Sequence, residues 1–407
     1  METIVKNCAG IDVHKMMVMV TVRKEVPNEE VQVITREFPT FRKDRELMCQ
    51  FLQQHQVDLV VMESTGIYWK SIYASIITRG LNPWVVNARH VKNVPGRKTD
   101  TLDSQWLAHL AHCGLIRPSF VPNPEQEQLR LLTRHRDKLV KLIAREKNRL
   151  HKTLDDSGIR LGGLISDING KSGQRMVNAL IDGESLRDIV NKADYRVKAD
   201  KKQLMASMDE QLSPSHLIVL KSIRGHINFL SEQQRELEIQ ILNGIQPWKE
   251  AWQLLQTLPG VSEMSAATLI AEIGDDMEQF GGMKEIASWA GLCPGNNESA
   301  GKRKSGRIRK GNKMIKTILC EVANAAIKTK CQFKGKYQSL VIRKGHKRSL
   351  IAIAHKLIRV IYTLLKKRKP YIDPDTDYEG LMVRKNAPRW LNKLGEYGYL
   401  TLTLQTV

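Results

Sequence analysis

The sequence predicts an α/β fold joined to an α fold: a mixed sheet with helices at the N-terminus, then a long helical arm, then a mostly helical C-terminal domain. Three observations predict it. Short β-rich runs of strand length, such as Met17 to Val22 and VDLVVME at 57–63, fall within the first 90 residues. Leucine and isoleucine then recur at helical spacing among many charges, first from Leu129 to Leu150 and again from Leu217 to Ile241. From Trp248 onward the pattern is helix, a Leu-Pro-Gly-Val turn, and helix. A chain of 407 residues exceeds what one hydrophobic core serves. The expected divisions are therefore 1–123, 124–247, 248–370 and a tail at 371–407.

In chain order, CAGIDVHKMMVMVTVRK at 8–24 reads as two strands, the second apolar enough to be buried. A third strand is expected at Val31 to Phe38 and an amphipathic helix from Phe41 to Gln54. The run 57–63 is a strand that ends on the carboxylate of Glu63. Ile67 to Thr78 reads as a helix, Asn82 to Asn87 as a strand, and Leu102 to Cys113 as a helix. A hairpin group of strands followed by strands alternating with helices is the order of a ribonuclease-H-like sheet.

The two charged, periodic stretches between 124 and 247 read as long helices forming an antiparallel or coiled-coil arm, with Asn169–Gly173 and Ala193–Lys202 as loops or small helices between them. Plain bundle packing and dimerisation both fit such helices. LQTLPGVSEMSAATLIAEIG at 255–274 has the form of a helix-hairpin-helix. Its glycine would let backbone amides approach a phosphate, although an ordinary αα-hairpin has the same pattern. The tail after 370 carries no functional signal.

Charge narrows the function classes. Lys plus Arg number 64 against 43 Asp plus Glu, a formal net charge of +21, which favours a polyanionic partner, with nucleic acid first among them. The six cysteines show no CxxC or Cys/His zinc spacing and read as reduced thiols of a cytosolic protein. The N-terminus has no signal-peptide pattern, and no apolar run is long enough to cross a bilayer.

Four acids stand out. Asp12 sits among strand apolars, where an unpaired charge is costly. Glu63 ends a strand, and Asp100 and Asp103 begin a helix on one face, where like charges repel. If the four converge at one end of a sheet, they form an oxygen-rich site for Mg²⁺, which can flank a scissile phosphate. The structural alternative makes Asp100 a helix N-cap with Asp103 at the third helical position, and Glu63 a solvated strand end. Sugar kinases and actin-like ATPases also begin with a Gly-Ile-Asp strand, but the residues after Asp12 are Val13, His14 and Lys15, with no glycine in the turn.

The second constellation is WAGLCPGNNESAGKRKSGRIRKGNKMIKTIL at 289–319. From Lys302 to Lys316 it has eight Lys or Arg and no acid, so it is not an ordinary surface of interleaved charges. Its glycines make it loop-rich ahead of a helix at Lys313. Lys302, Arg303, Lys304, Arg307, Arg309 and Lys310 are expected to touch phosphate, with Arg97 and Lys98 as weaker candidates. A serine here, Ser299 or Ser305, can attack a phosphodiester only if something removes its proton and cations stabilise the developing charge. Serine is equally an ordinary loop residue.

Taken in order, CAGIDVHK, VVMESTGIYWK, VNARHVKNVPGRKTDTLDSQWLAHL and IASWAGLCPGNNESAGKRKSGRIRKGN resemble the sequence blocks of the DEDD transposases of the insertion-sequence family known as IS one-ten, nearest its IS eleven-eleven branch. The resemblance runs from about residue 8 to residue 365. It implies a RuvC-like N-terminal domain whose D-E-D-D set falls on Asp12, Glu63, Asp100 and Asp103 and holds Mg²⁺. It implies a C-terminal transposase domain whose serine falls on Ser299, which attacks DNA through a transient phosphoserine link; Ala300 departs from a Ser-Gly pair, which keeps Ser305 in view. It implies guidance by a structured bridge RNA, one loop pairing with target and another with donor DNA, and two dimers forming a tetramer in which one protomer's acids complete another's serine site. His90 and Tyr68 are candidates for positioning substrate, and each is as easily structural. The expected protein is a prokaryotic, cytoplasmic, nucleoid-associated DNA recombinase. The competing readings are a hydrolytic, metal-dependent Holliday-junction-type nuclease without serine covalency, and a binding protein without chemistry.

Overall fold

The computed structural model describes residues 5–26, 30–64, 66–88, 91, 94, 102–295, 297–299, 302–305, 308, 311–374 and 376–399. The chain divides into two compact units, Met1–Val121 and Pro122–Val407.

The first unit is built on a five-stranded mixed sheet. Strands β1 (Asn7–Val13), β2 (Met17–Lys24) and β3 (Gln32–Pro39) form an antiparallel group, and β4 (Leu59–Glu63) and β5 (Pro83–Val86) add in parallel on the other side of β1, giving the order β3-β2-β1-β4-β5. Helices α1 (Arg42–Gln54) and α2 (Trp69–Thr78) cover one face. Their Met48, Leu52, Ile72 and Ile76 join Ala9, Ile11, Val60 and Met62 of the sheet in one core. Helix α3 (Asp103–His112) covers the other face, where Trp106, Leu107 and Leu110 pack with Cys8, Leu59 and Val61. With both faces covered, β1 and β4 have no polar side, which is why they read as near-continuous apolar runs. The edge strand β3 buries only Phe38 and carries Arg36 and Glu37, charges that discourage edge-to-edge pairing.

In the second unit, helices α4 (Pro124–Asp156) and α8 (Pro214–Gly244) run antiparallel along each other. Arg136 pairs with Glu238 near one end and His216 with Asp156 at the other, while Leu139, Ile143 and Leu230 fill the seam between. Both helices start with a capping side chain and a proline in the first turn: Asn123 accepts from the Gln126 amide, and Ser213 from the His216 amide. Beyond the His216 end sits a small helical module of α5 (Lys171–Ile181), α6 (Leu186–Asn191) and α7 (Lys201–Ala206). It has its own core of Met176, Val177, Leu180, Ile189 and Leu204 closed by Leu154 and Leu220 of the long helices.

The rest of this unit comprises α9 (Lys249–Gln256), α10 (Glu263–Ile273), α11 (Met283–Trp289), α12 (Lys313–Ala326), α13 (Gln332–Lys367, broken at Gly345) and α14 (Tyr378–Glu396). The turn between α9 and α10 packs on α12. Gly260 has φ +83°, and a Cβ there would meet the Ala326 nitrogen and the Val322 oxygen, each at 2.6 Å. Only a glycine fits so close against α12. The residues after 370 fold back on α13: Tyr371 stacks on Phe333, Gln332 donates to the Tyr371 hydroxyl at 2.6 Å, and Asp373 accepts from the Gln332 amide at 2.9 Å.

Candidate active site

The acids of the first unit are placed by backbone register. The parallel pair β1–β4 aligns Ile11 with Met62, so Asp12 and Glu63 are the next residues along two neighbouring strands. Ile11 and Met62 lie in the core beneath α1 and α2. Side chains alternate along a strand, so Asp12 and Glu63 lie on the opposite face, the one covered by α3. Asp103 is the first residue of α3.

Two contacts fix where that helix begins. Gly10, two residues before Asp12 on the same face, has no room for a side chain: a Cβ would lie 2.1 Å from the Ser104 carbonyl oxygen and 2.4 Å from the Ala108 nitrogen. Thr21, opposite Gly10 on β2, shares a buried 2.8 Å hydrogen bond with the Ser104 hydroxyl and a second, of 3.0 Å, with Thr35. The helix start is thus pressed against β1 and tied to β2, one residue from Asp103. Its N-cap is Leu102, with no side-chain cap, so Asp103 occupies the first helical position rather than the third. Asp12 accepts a 3.1 Å hydrogen bond from the ring of His14, and its side chain remains 30% exposed.

Asp100 lies outside the described residues, as do His90, Arg97 and Lys98. Among the described residues, no three His, Cys, Asp or Glu side chains are close enough to form a metal site by themselves. The donor set nonetheless fits a hard divalent cation: Asp12, Glu63 and Asp103 supply only carboxylate oxygens, on one face and at one end of the sheet. Tyr68 precedes α2 and is partly exposed.

The basic segment of the second unit is a hairpin, not a loop. Strands β6 (Asn297–Ser299) and β7 (Lys302–Ser305) pair antiparallel, with Ser299 opposite Lys302 and Ser305 opposite Asn297. The two serines therefore stand at opposite ends of the hairpin, and Lys302, Arg303 and Lys304 lie along its second strand. Arg307, Arg309 and Lys310 are outside the described residues. The base of the hairpin is closed by an isolated bridge between Pro294 and Ile308 and by the Asn312 amide donating to Trp289 oxygen at 3.2 Å. Gly311 is required there, because a Cβ would lie 2.4 Å from the Gly291 nitrogen.

Sequence reasoning missed the anchor of this base. Glu272 of α10 is fully buried. The Arg134 guanidinium donates to both its oxygens at 2.7 and 3.0 Å, Arg130 lies 3.6 Å away, and the Asn312 side-chain amide donates at 2.6 Å. Asn312 also caps α12, its oxygen accepting from the Met314 and Ile315 amides. Hydrogen bonding to Glu272 holds Arg134 above the usual guanidinium range, whereas burial pulls Arg130 below it despite the same carboxylate. The readable signal was Asn312 directly before an apolar helix, a cap pattern. Nothing local marked Glu272.

Comparison with known proteins agrees with this architecture. Residues 9–158 match the sequence model of a family described as Transposase, DEDD_Tnp_IS110, and residues 252–338 match the Transposase IS116/IS110/IS902 family. The chain is 25% identical over 324 residues to the transposase for insertion sequence element IS1111A of Coxiella burnetii, covering 78% of this chain and 80% of that protein. It is 23% identical over 335 residues to the transposase for insertion sequence element IS1328 of Yersinia enterocolitica, covering 79% and 88%. An uncharacterized 43.6 kDa protein of insertion element IS110 from Streptomyces coelicolor is 30% identical over 152 residues, 37% of each chain. A Thermus thermophilus RuvC structure aligns with 28% of this chain and 99% of its own at 12% identity, but its TM-score of 0.22 carries no argument. The protein is a transposase, an enzyme that acts on DNA. It belongs to the IS110 (IS one-ten) family of DEDD transposases. Among the described residues, no helix is long and apolar enough to cross a membrane.

Proposed function

We propose that the protein cuts and rejoins donor and target DNA through a transient phosphoserine link, with Asp12, Glu63, Asp100 and Asp103 acting at the scissile phosphate and Ser299 as nucleophile. The observation that carries this reading is the placement of Asp12, Glu63 and Asp103 on one face at one end of the sheet, with Asp103 held there by Gly10 and Thr21.

The four acids would hold Mg²⁺, which when bound lowers the cost of charge on the phosphate oxygens. The serine step balances without a redox partner. The Ser299 Oγ–H bond and a phosphodiester P–O bond break, an Oγ–P bond forms, the serine proton passes to a base, and the released deoxyribose oxygen is the leaving group. Attack by a second strand's hydroxyl on the same phosphorus reverses the chemistry, restores the serine and joins the new strand. Lys302, Arg303, Lys304, Arg307, Arg309 and Lys310 would neutralise backbone charge around that phosphate. Ser299 is favoured over Ser305 because it stands at the end of the hairpin away from the clamped base. Sequence choice would come from a bridge RNA pairing with both DNAs, and two dimers would assemble so that the acids of one protomer serve the serine of another.

The test combines the protein, the noncoding RNA flanking its gene, Mg²⁺ and labelled donor and target DNA. Samples are resolved on a denaturing gel beside Ser299→Ala. DNA migrating with protein, and absent from the variant, is the expected result. Cleaved DNA without an adduct in both lanes would assign the chain to the hydrolytic nucleases and remove Ser299 from the chemistry.

A further inference from the structure

A cleft of about 640 Å³ opens in the small helical module between α4 and α8. The module lies between the two stretches matched by the family models, and it contains none of the acids or serines assigned above. Four cations line the cleft: Lys171, Arg175, Arg196 and Lys198. The two acids on its wall are engaged locally. Asp167 accepts from the Asn169 amide at 2.8 Å, and Asp194 accepts from the Arg196 amide at 3.1 Å and lies 3.6 Å from its guanidinium. Lys171, Arg175 and Lys198 form no ion pair with any described residue, so the wall keeps an uncompensated positive charge.

Tyr195, between two of the lining residues, is 87% exposed. The Arg196 guanidinium lies 5.2 Å from the ring centre, and its Nε donates to the tyrosine hydroxyl at 3.2 Å. A solvent-facing aromatic ring beside a cationic cleft is what an unpaired nucleotide strand needs, with a surface for a base to stack on and charge for the phosphates on either side. A duplex cannot use the ring, because its bases are stacked on each other.

We propose that this module binds single-stranded nucleic acid, one base stacking on Tyr195 while Lys171, Arg175 and Lys198 hold the flanking phosphates. The site stands or falls independently of the serine chemistry.

The full-length protein carries other basic surfaces, so the test needs a local readout. A 12-nucleotide uridine-rich RNA containing 4-thiouridine, the matching DNA with 4-thiothymidine, and a self-complementary duplex of the same length are each irradiated with the protein. After trypsin digestion, the peptide Ala193–Arg196 is examined for an attached nucleotide. The expected result is cross-linking by a single strand and not by the duplex. A stronger signal from RNA identifies an RNA segment, and equal signals identify recognition through features common to both strands. The triple variant Lys171→Gln, Arg175→Gln, Lys198→Gln should lose the cross-link about tenfold. It should also flatten the plot of log affinity against log salt by about 2, at roughly 0.7 for each phosphate no longer neutralised. Tyr195→Ala, which disturbs no buried side chain, should weaken single-strand binding about fivefold or more through loss of stacking, while Tyr195→Phe should not. Absence of a cross-link from either single strand, or equal cross-linking by the duplex, overturns the proposal, with circular dichroism confirming that each variant is folded.

Discussion

In the first unit, Asp12 and Glu63 are set side by side by a parallel strand pair, and Asp103 begins a helix that is pressed against the sheet at Gly10. In the second, the strand bearing Ser299 belongs to a hairpin whose fastenings, among the described residues, lie at its base: Pro294 to Ile308, Trp289 to Asn312, and Asn312 to Glu272. One site is held by sheet register and close helix packing. The other is held, among the described residues, by one buried ion cluster and a few backbone bonds. A metal-type site needs several groups fixed relative to one another, whereas a nucleophile needs only a firm stem from which to reach a phosphate.

Four measurements would break or sharpen this contrast. The largest effect is expected for Asp12→Asn, which keeps the shape and removes the charge. DNA cleavage should fall by roughly 10³-fold or more, equivalent to about 4 kcal/mol of transition-state stabilisation, with RNA and DNA binding retained in filter assays. Full activity in that variant would dismiss the carboxylate site. Next, Glu272→Ala leaves Arg130 and Arg134 without their carboxylate and should cost about 3–5 kcal/mol in urea denaturation. Ser299-adduct formation should fall more than this loss of folded protein explains, if the cluster steadies the hairpin. Third, Gly10→Ala drives a methyl into the Ser104 carbonyl and should destabilise the first unit by about 1–3 kcal/mol. An unchanged melting curve would show that α3 is not fixed at that point. The smallest effect concerns Cys8, whose thiol burial pushes up to about 12 and whose sulfur donates to the Ala108 oxygen at 3.2 Å. Almost no thiolate exists at pH 8, so iodoacetamide should leave Cys8 unmodified in the folded protein, as mass spectrometry would show. Rapid labelling would mean that the contact between α3 and β1 opens readily.

Strands β1, β2 and β4 were legible because they are largely buried and so stand out as short apolar runs between turns. Asp12 was legible for the related reason that a charge in such a run needs an explanation. The close approach at Gly10 was not, since the atoms that exclude a side chain belong to Ser104 and Ala108, almost a hundred residues away. The packing of Gly260 was hidden in the same way. Locally it reads as a turn glycine, and the atoms that exclude a side chain there belong to Val322 and Ala326, far along the chain. The serine segment read as a loop because its charges and glycines show no apolar alternation. Its pairing is made by backbone hydrogen bonds, to which side-chain patterns are blind. The module around α5, α6 and α7 was nearly invisible, because two of its helices have six residues each, too few to display a period.

Asn312 has a consequence for mutational tolerance. Its amide nitrogen donates to Glu272 while its amide oxygen caps α12, so one side chain satisfies two opposite demands. Aspartate would cap the helix but set a second anion against Glu272. Serine would cap it with a shorter side chain, and glutamine would keep the donor but place the oxygen one carbon too far. In a library of all twenty amino acids at this position, asparagine should be almost the sole survivor, although the residue touches neither metal nor DNA in the proposed chemistry. The least replaceable position near the hairpin would then be one chosen by helix capping and charge balance rather than by catalysis.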